Sequence, residues 1–245
     1  MKKLMALALC LMLLLPAAVQ AEETADRLPD EVLMQYYDHS LFVGDSVIRM
    51  FRNYVKNVQK TDPGYFPGIK FYSEYSYQLH TAAMQYVTED RVNLKYKGSD
   101  ATLSEIMKGE KPEKVFILAG LNERIHLHID WADSYITKIM AIRDKYSPDT
   151  EMYFFSLTPV TRKVGNPRQE KHDEYNVWLA RKCEEVGATY IEISELLKDE
   201  DGFMRKSISS DGEYHLNAEG NAIWAQKLLD FAQEQYDLGL WTPAE

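Results

Sequence analysis

The sequence predicts an α/β protein built on a parallel sheet of about five strands, with helices on both faces. Three observations point there. Short apolar runs alternate with segments whose apolar residues recur at helical spacing. The helical segments are long enough to carry right-handed crossovers between parallel strands. The apolar runs are continuous rather than alternating, as strands covered on both faces require.

The elements follow in order. Residues 22–38 read as a polar lead-in. Leu41–Val43 is the first strand, Gly44-Asp45-Ser46 follows at once, and a helix runs from about Val47 to Val58. Asp62-Pro63-Gly64 and Pro67-Gly68 are turn signals before a second strand, Ile69–Tyr72. The stretch from Ser73 to Lys111 suggests a helix near Leu79–Val87, an extended piece near Val92–Tyr96 and a short helix near Leu103–Met107. Val115–Leu118 is the clearest strand and ends at Gly120. Trp131, Tyr135, Ile139, Ile142 and Tyr146 fall on one helical face, and Met152–Phe155 forms the fourth strand. Tyr175, Leu179, Cys183 and Val186 line the next helix, and Ala188–Ile193 is the fifth strand. The last helix spans about Ala218–Gln233, with Asn217 placed as its cap.

Composition bounds the function classes. A chain of 245 residues with 45% hydrophobic content can bury one sizeable core. Lys2 and Lys3, the apolar run Leu4–Val19 and the ending Val19-Gln20-Ala21 read as a secretory signal over residues 1–21. The run is shorter than the roughly 20 residues a bilayer span needs. Leu9 stands before Cys10 where a lipoprotein signal has a small residue. Residues 22–245 are then expected as one domain, secreted or held in the periplasm or cell envelope, with no membrane span after cleavage. That domain keeps only Cys183, so no internal disulfide is expected. The formal charge of −10 argues against nucleic acid or anionic lipid as a partner.

In a parallel sheet with helices on both faces, ligands bind beyond the carboxyl ends of the strands. Three polar clusters belong there: Gly44-Asp45-Ser46, Gly120-Leu121-Asn122-Glu123, and Asp211-Gly212-Glu213-Tyr214-His215-Leu216-Asn217. A serine hydroxyl becomes a nucleophile when a base takes its proton, and histidine is the base suited to neutral pH. A carboxylate fixes the histidine tautomer. Donors must face the tetrahedral oxyanion, and the Ser46 N–H at a helix N-terminus and the Asn122 amide are both available types. Such a site needs no cofactor and no metal.

These clusters resemble the motifs of the SGNH/GDSL hydrolases. Gly44-Asp45-Ser46 is similar to their block I, Gly120-x-Asn122 to their Gly-x-Asn block, and Asp211…His215 to their Asp-x-x-His block, in the same order over roughly residues 38–235. The resemblance implies a flavodoxin-like three-layer α/β/α sandwich. It implies Ser46 as nucleophile, His215 as base, Asp211 as its partner, and Ser46 with Asn122 in the oxyanion hole. Three positions depart from the pattern. Asp211 and His215 have one residue more between them than the family spacing, so Glu213 is an alternative orienting acid. The block II glycine is missing from Ser73-Glu74-Tyr75-Ser76. Glu123 stands where many members have Asp, at a position read as structural.

The activity implied is hydrolysis of small acyl esters, such as acetyl groups on a glycan. A protein that keeps the fold to bind glycan or assemble at a surface, without catalysis, is the alternative. Gly44-Asp45-Ser46-Val47-Ile48 lacks the last glycine of a Gly-x-Ser-x-Gly elbow. His126-Leu127-His128-Ile129-Asp130 lacks a further histidine and reads as loop lining rather than a metal site. The aromatic residues Tyr65, Phe66, Phe71, Tyr72, Tyr75 and Tyr77 read as partly core, with sugar stacking as the other use.

Overall fold

The computed structural model describes residues 27–244. The expected signal segment, Cys10 included, lies outside the described residues. The chain begins with a helical turn, α1 (Asp30–Leu33), continued by a 3-10 turn over Met34–Tyr37. Here the reading of residues 22–38 as a polar lead-in is corrected. Leu33, Met34, Tyr36 and Tyr37 are all buried. Their polar atoms are accommodated: the Tyr37 hydroxyl donates to the Leu228 carbonyl at 2.7 Å, and Tyr36 Oη lies 2.7 Å from Tyr153 Oη. Consecutive apolar residues on a tight turn leave no periodic signal.

The large sheet is formed by β1 (Ser40–Gly44), β2 (Ile69–Ser73), β5 (Lys114–Leu118), β6 (Glu151–Phe155) and β7 (Thr189–Ile191). Its order is β2-β1-β5-β6-β7, and every pairing is parallel. This is the five-stranded α/β/α arrangement expected, and counted along the chain its order is the flavodoxin-like 2-1-3-4-5. The intervening strands β3 (Leu94–Tyr96) and β4 (Ser99–Ala101) form a separate hairpin. Lys97 and Gly98 turn it, both at positive φ (51° and 88°), as a two-residue hairpin of this hand requires.

Strand residues alternate between two apolar layers. Phe42, Phe116, Tyr153 and Phe155 face α1, α2 (Ser46–Val58) and α7 (Ala218–Asp237). Rings of adjacent strands stack there, Phe42 on Phe116 at 4.7 Å and Phe116 on Tyr153 at 4.4 Å. Leu41, Val43, Val115, Ile117, Met152 and Phe154 face the other layer. That layer holds α3 (Leu79–Ala82), α4 (Leu103–Glu110), α5 (Ile129–Tyr146) and α6 (Asn166–Val186). Thr102 opens α4 with a reciprocal capping box to Glu105, and Asn217 caps α7 by accepting from the Gly220 N–H at 3.1 Å.

One helix is much shorter than expected. The segment Leu79–Val87 holds only the single turn of α3, because Tyr86 and Val87 are exposed and have no layer to pack against. Without a buried face a short helix has too little to offset its ordering entropy.

The chain leaves β1 outward to β2 and leaves β5 outward to β6, so the neighbouring carboxyl ends of β1 and β5 enclose the switch-point crevice. Gly44 is required there by close approach. A Cβ at that position would lie 2.0 Å from the Leu118 carbonyl oxygen and 2.6 Å from Ile48 Cγ1. Gly44→Ala is therefore expected to destabilise the fold by about 1–3 kcal/mol, read as a lower urea midpoint. An unchanged midpoint would show that β1 and β5 can part without cost.

Candidate active site

Ser46 is the first residue of α2, set at the end of β1 by the turn through Asp45. Asp45 is the N-cap and accepts the Val47 N–H at 2.9 Å. The N–H of Ser46 has no acceptor within the helix, as for any first-turn residue, and the helix dipole adds positive potential at that point.

His215 comes from the loop before α7. Its Nε2 lies 2.8 Å from Ser46 Oγ, and its Nδ1 lies 2.6 Å from Asp211 Oδ2. The added residue between Asp211 and His215 is absorbed by a turn through Gly212, whose φ is +73°. Asp211 Oδ1 accepts the N–H groups of Glu213, Tyr214 and His215 at 2.8, 3.0 and 3.3 Å. Burial opposes ionisation of Asp211, but these N–H groups and the imidazole outweigh it and hold the carboxyl down at about 2. Glu213 turns away and pairs with Lys163 at 2.6 Å. Of the two candidate acids, Asp211 is the one against the ring.

Asn122 reaches the same crevice from the end of β5. Its Nδ2 donates to the Tyr77 carbonyl at 3.0 Å and to Asp45 Oδ2 at 3.3 Å. Both amide protons are thus engaged within the protein. Gly120, at φ +128°, allows the chain to turn there, and a Cβ would meet Ile125 at 2.4 Å. Burial pushes the Asp45 carboxyl up to about 7, against the pull of the Val47 N–H. Burial also raises Glu123, whose Oε1 accepts the His80 N–H at 3.1 Å and ties α3 to this loop. Position 123 is structural, as read.

The loop after β2 has no glycine where the family pattern has one. The Glu74 N–H donates to the Gly44 carbonyl at 3.2 Å and so extends the sheet. Glu74 is ion-paired with Arg49 at 2.7 Å, and Arg49 lies 4.4 Å over the Tyr75 ring. Of the aromatic residues in this region, Phe66 and Tyr77 are buried core, while Tyr75 is exposed.

Over Ser46 lies an open cleft of about 260 Å³, lined by Ser46, Leu121, Asn122, Arg124, Arg168, Tyr214 and His215. The motif reading gave no role to Leu121, Arg124, Arg168 or Tyr214. Three of these sit beside motif residues in sequence, whereas nothing local marks Arg168 on α6. His126 to Asp130, read as loop lining, line a second, separate pocket, and His126 itself is almost wholly buried, with its ring centroid 4.4 Å from that of His172. His128 stacks on Trp131 at 4.0 Å. Among the described residues, no cluster of three or more His, Cys, Asp or Glu side chains could hold a metal ion.

The Ser46 turn, the Gly-x-Asn turn and the Asp–His loop on a five-stranded parallel sheet are those of a serine ester hydrolase, the class that the family match supports. The sequence matches the GDSL-like lipase/acylhydrolase family over residues 42–223, and the chain belongs to that family. Solved structures share the fold. A GDSL-like lipase from Bacteroides thetaiotaomicron aligns with TM-score 0.59 at 14% identity, covering 80% of this chain and 88% of that one. An acetylxylan esterase from Geobacillus stearothermophilus aligns with TM-score 0.55 at 14% identity, covering 79% and 93%. Comparison with curated protein sequences returns no match.

The buried histidine pair makes stability depend on acid. Burial holds His126 down at about 3, with His172, Arg168 and Arg124 adding to the effect. Burial likewise holds His172 at about 4, partly offset by its bond to the Thr158 carbonyl. The unfolded histidines take up protons near pH ~6.5, where the folded ones do not. Their contribution is therefore complete above pH ~6.5 and is lost progressively as the pH falls from there toward the folded values. His172→Asn, which can keep a donor to Thr158, is expected to flatten the urea midpoint against pH below ~6.5 relative to wild type. Parallel curves for the two proteins would refute this origin of acid sensitivity.

Proposed function

We propose that the protein is an exported acylesterase that removes small acyl groups, acetyl above all, from a glycan or similar alcohol, with Ser46, His215 and Asp211 as its triad. The observation that carries this reading is the continuous chain from Ser46 Oγ through His215 Nε2 at 2.8 Å and Nδ1 to Asp211 Oδ2 at 2.6 Å. Ser46 Oγ attacks the acyl carbon as its proton passes to His215 Nε2, and Asp211 steadies the imidazolium. The oxyanion takes the open N–H of Ser46. Asn122 Nδ2 adds to it by turning its longer bond, the 3.3 Å contact to Asp45, toward the developing charge. The proton on Nε2 then goes to the leaving alkoxide. Water attacks the acyl-serine by the same route, releasing the acid and returning the proton to Ser46.

Two features support the substrate class. The cleft is open and small, which suits a short acyl group on a larger alcohol. A structural neighbour is an acetylxylan esterase. Export is supported by the basic start at Lys2 and Lys3 and the apolar run ending in Val19-Gln20-Ala21. Among the described residues no helix is long and apolar enough to cross a membrane.

The native protein is expected to hydrolyse p-nitrophenyl acetate and to be labelled by a fluorophosphonate, with both lost in Ser46→Ala. A folded native protein that stays unlabelled while binding glycan would leave the non-catalytic alternative standing. Asp211→Asn is expected to lower kcat by on the order of 10³–10⁴-fold, against less than about threefold for Glu213→Gln, since only the acid at Nδ1 sets the tautomer. The reverse ranking would give the role to Glu213. Export is checked by N-terminal sequencing of protein recovered outside the cytoplasm, which should begin at Glu22.

A further inference from the structure

The cleft over Ser46 holds two cations that acyl transfer does not use. Arg124 and Arg168 both line it, beside Tyr214 and His215. Among the described residues neither guanidinium is paired with a carboxylate. Arg168 makes one long contact, 3.5 Å to Tyr214 Oη, and lies 6.0 Å over that ring. Arg49 on α2 shows the contrast, paired with Glu74 at 2.7 Å. In a chain with ten more acidic than basic residues, two neighbouring arginines without acidic partners keep their planar donor forks free for an incoming oxyanion.

The turn carrying Arg124 is fixed in the backbone. Arg124 occupies the left-handed region at φ 53°, ψ 44°, which a long side chain seldom adopts. The turn is held by bonds on either side, Ile125 N–H to the Gly120 carbonyl and Leu127 N–H to the Arg124 carbonyl, each 2.9 Å.

The position of Arg168 indicates which part of the ester it meets, and Arg124 lines the same cleft. His215 Nε2 hands its proton to the departing alkoxide, so the alcohol portion lies on the His215 side of Ser46. Tyr214 precedes His215, and Arg168 lies over Tyr214. We infer that Arg124 and Arg168 select esters whose alcohol portion carries an anionic oxygen group, a carboxylate or a phosphate. The inference rests on the esterase reading above and adds to it the charge of the substrate. A concave site focuses the field of both cations on that group.

The test compares kcat/KM for para-acetoxybenzoate with that for its neutral methyl ester. The wild-type ratio is expected at about ten- to thirtyfold in favour of the anion, the size of a charge-assisted contact in a half-open site. Added sodium chloride should lower the ratio. The double variant Arg124→Gln, Arg168→Gln should bring it toward unity, and Arg168→Lys should keep part of it. Circular dichroism and the melting temperature report whether the variants fold. If the double variant does not fold, the salt dependence in the wild type decides, and a salt-insensitive ratio overturns the inference.

The source of the charge is read from para-acetoxyphenyl phosphate. Preference for it over para-acetoxybenzoate assigns a phosphate, and the reverse assigns a carboxylate; either supports the inference. A wild-type ratio near unity overturns it, as does a ratio that persists in the folded double variant. A preference for phenyl hemisuccinate over phenyl acetate, with none among the alcohols, moves the charge to the acyl side and also overturns it. Hydrolysis of none of these esters removes the esterase reading, and this inference with it.

Discussion

The pairing of β1 with β5 governs the geometry of everything at the carboxyl edge of the sheet. Gly44 sits opposite Leu118 in register, close enough that no side chain fits between them, and the Asp45 N–H still reaches the Leu118 carbonyl at 3.3 Å. From this point the two chains diverge, one into α2 with Ser46 at its head, the other into the turn that carries Asn122. Their separation is the source of the crevice. The third component is brought from 169 residues away and is pinned from the β6 side, where the Thr161 N–H donates to the Glu213 carbonyl at 3.0 Å. His215 can meet Ser46 only because that loop is tethered at both ends, to Thr161 and to the capped start of α7.

The same crevice drives its two aspartates in opposite directions. Asp45 is sealed under the nucleophile turn with one N–H donor and one amide, and burial pushes it toward the neutral form. Asp211 has three N–H groups converging on one oxygen and stays ionised at any ordinary pH. The carboxyls thus differ in charge: Asp45 and Glu123 organise the turns, while Asp211 is the ionised one set against the His215 ring. Of the histidines, His215 is partly exposed in the cleft, whereas His126 and His172 are buried against each other and held neutral.

Much of this was legible in the chain. The five strands announced themselves as continuous apolar runs, because both faces of a parallel sheet are covered. The motif residues Ser46, Asn122 and His215 stood at strand ends and a helix start, where covalent neighbours already dictate the turn. The misread segments have a common cause. Leu33–Tyr37 looked polar and aperiodic because its tyrosine hydroxyls find partners on distant elements, Leu228 and Tyr153. Leu79–Val87 carried helical spacing, yet Tyr86 and Val87 have nothing to pack against.

The sequence by itself determined the class of fold and which strand ends and loops carry Ser46, Asn122 and His215, since each depends on local propensity or on a motif within a few residues. Only the tertiary structure decided which acid faces His215. Glu213 is two residues from His215 in sequence and Asp211 four, yet Lys163 draws Glu213 outward and Gly212 bends Asp211 back against the ring. It also decided that Arg168, in the middle of the chain on α6, stands over the residue next to His215. Such meetings depend on where the sheet edge gathers remote segments, and no local pattern encodes that.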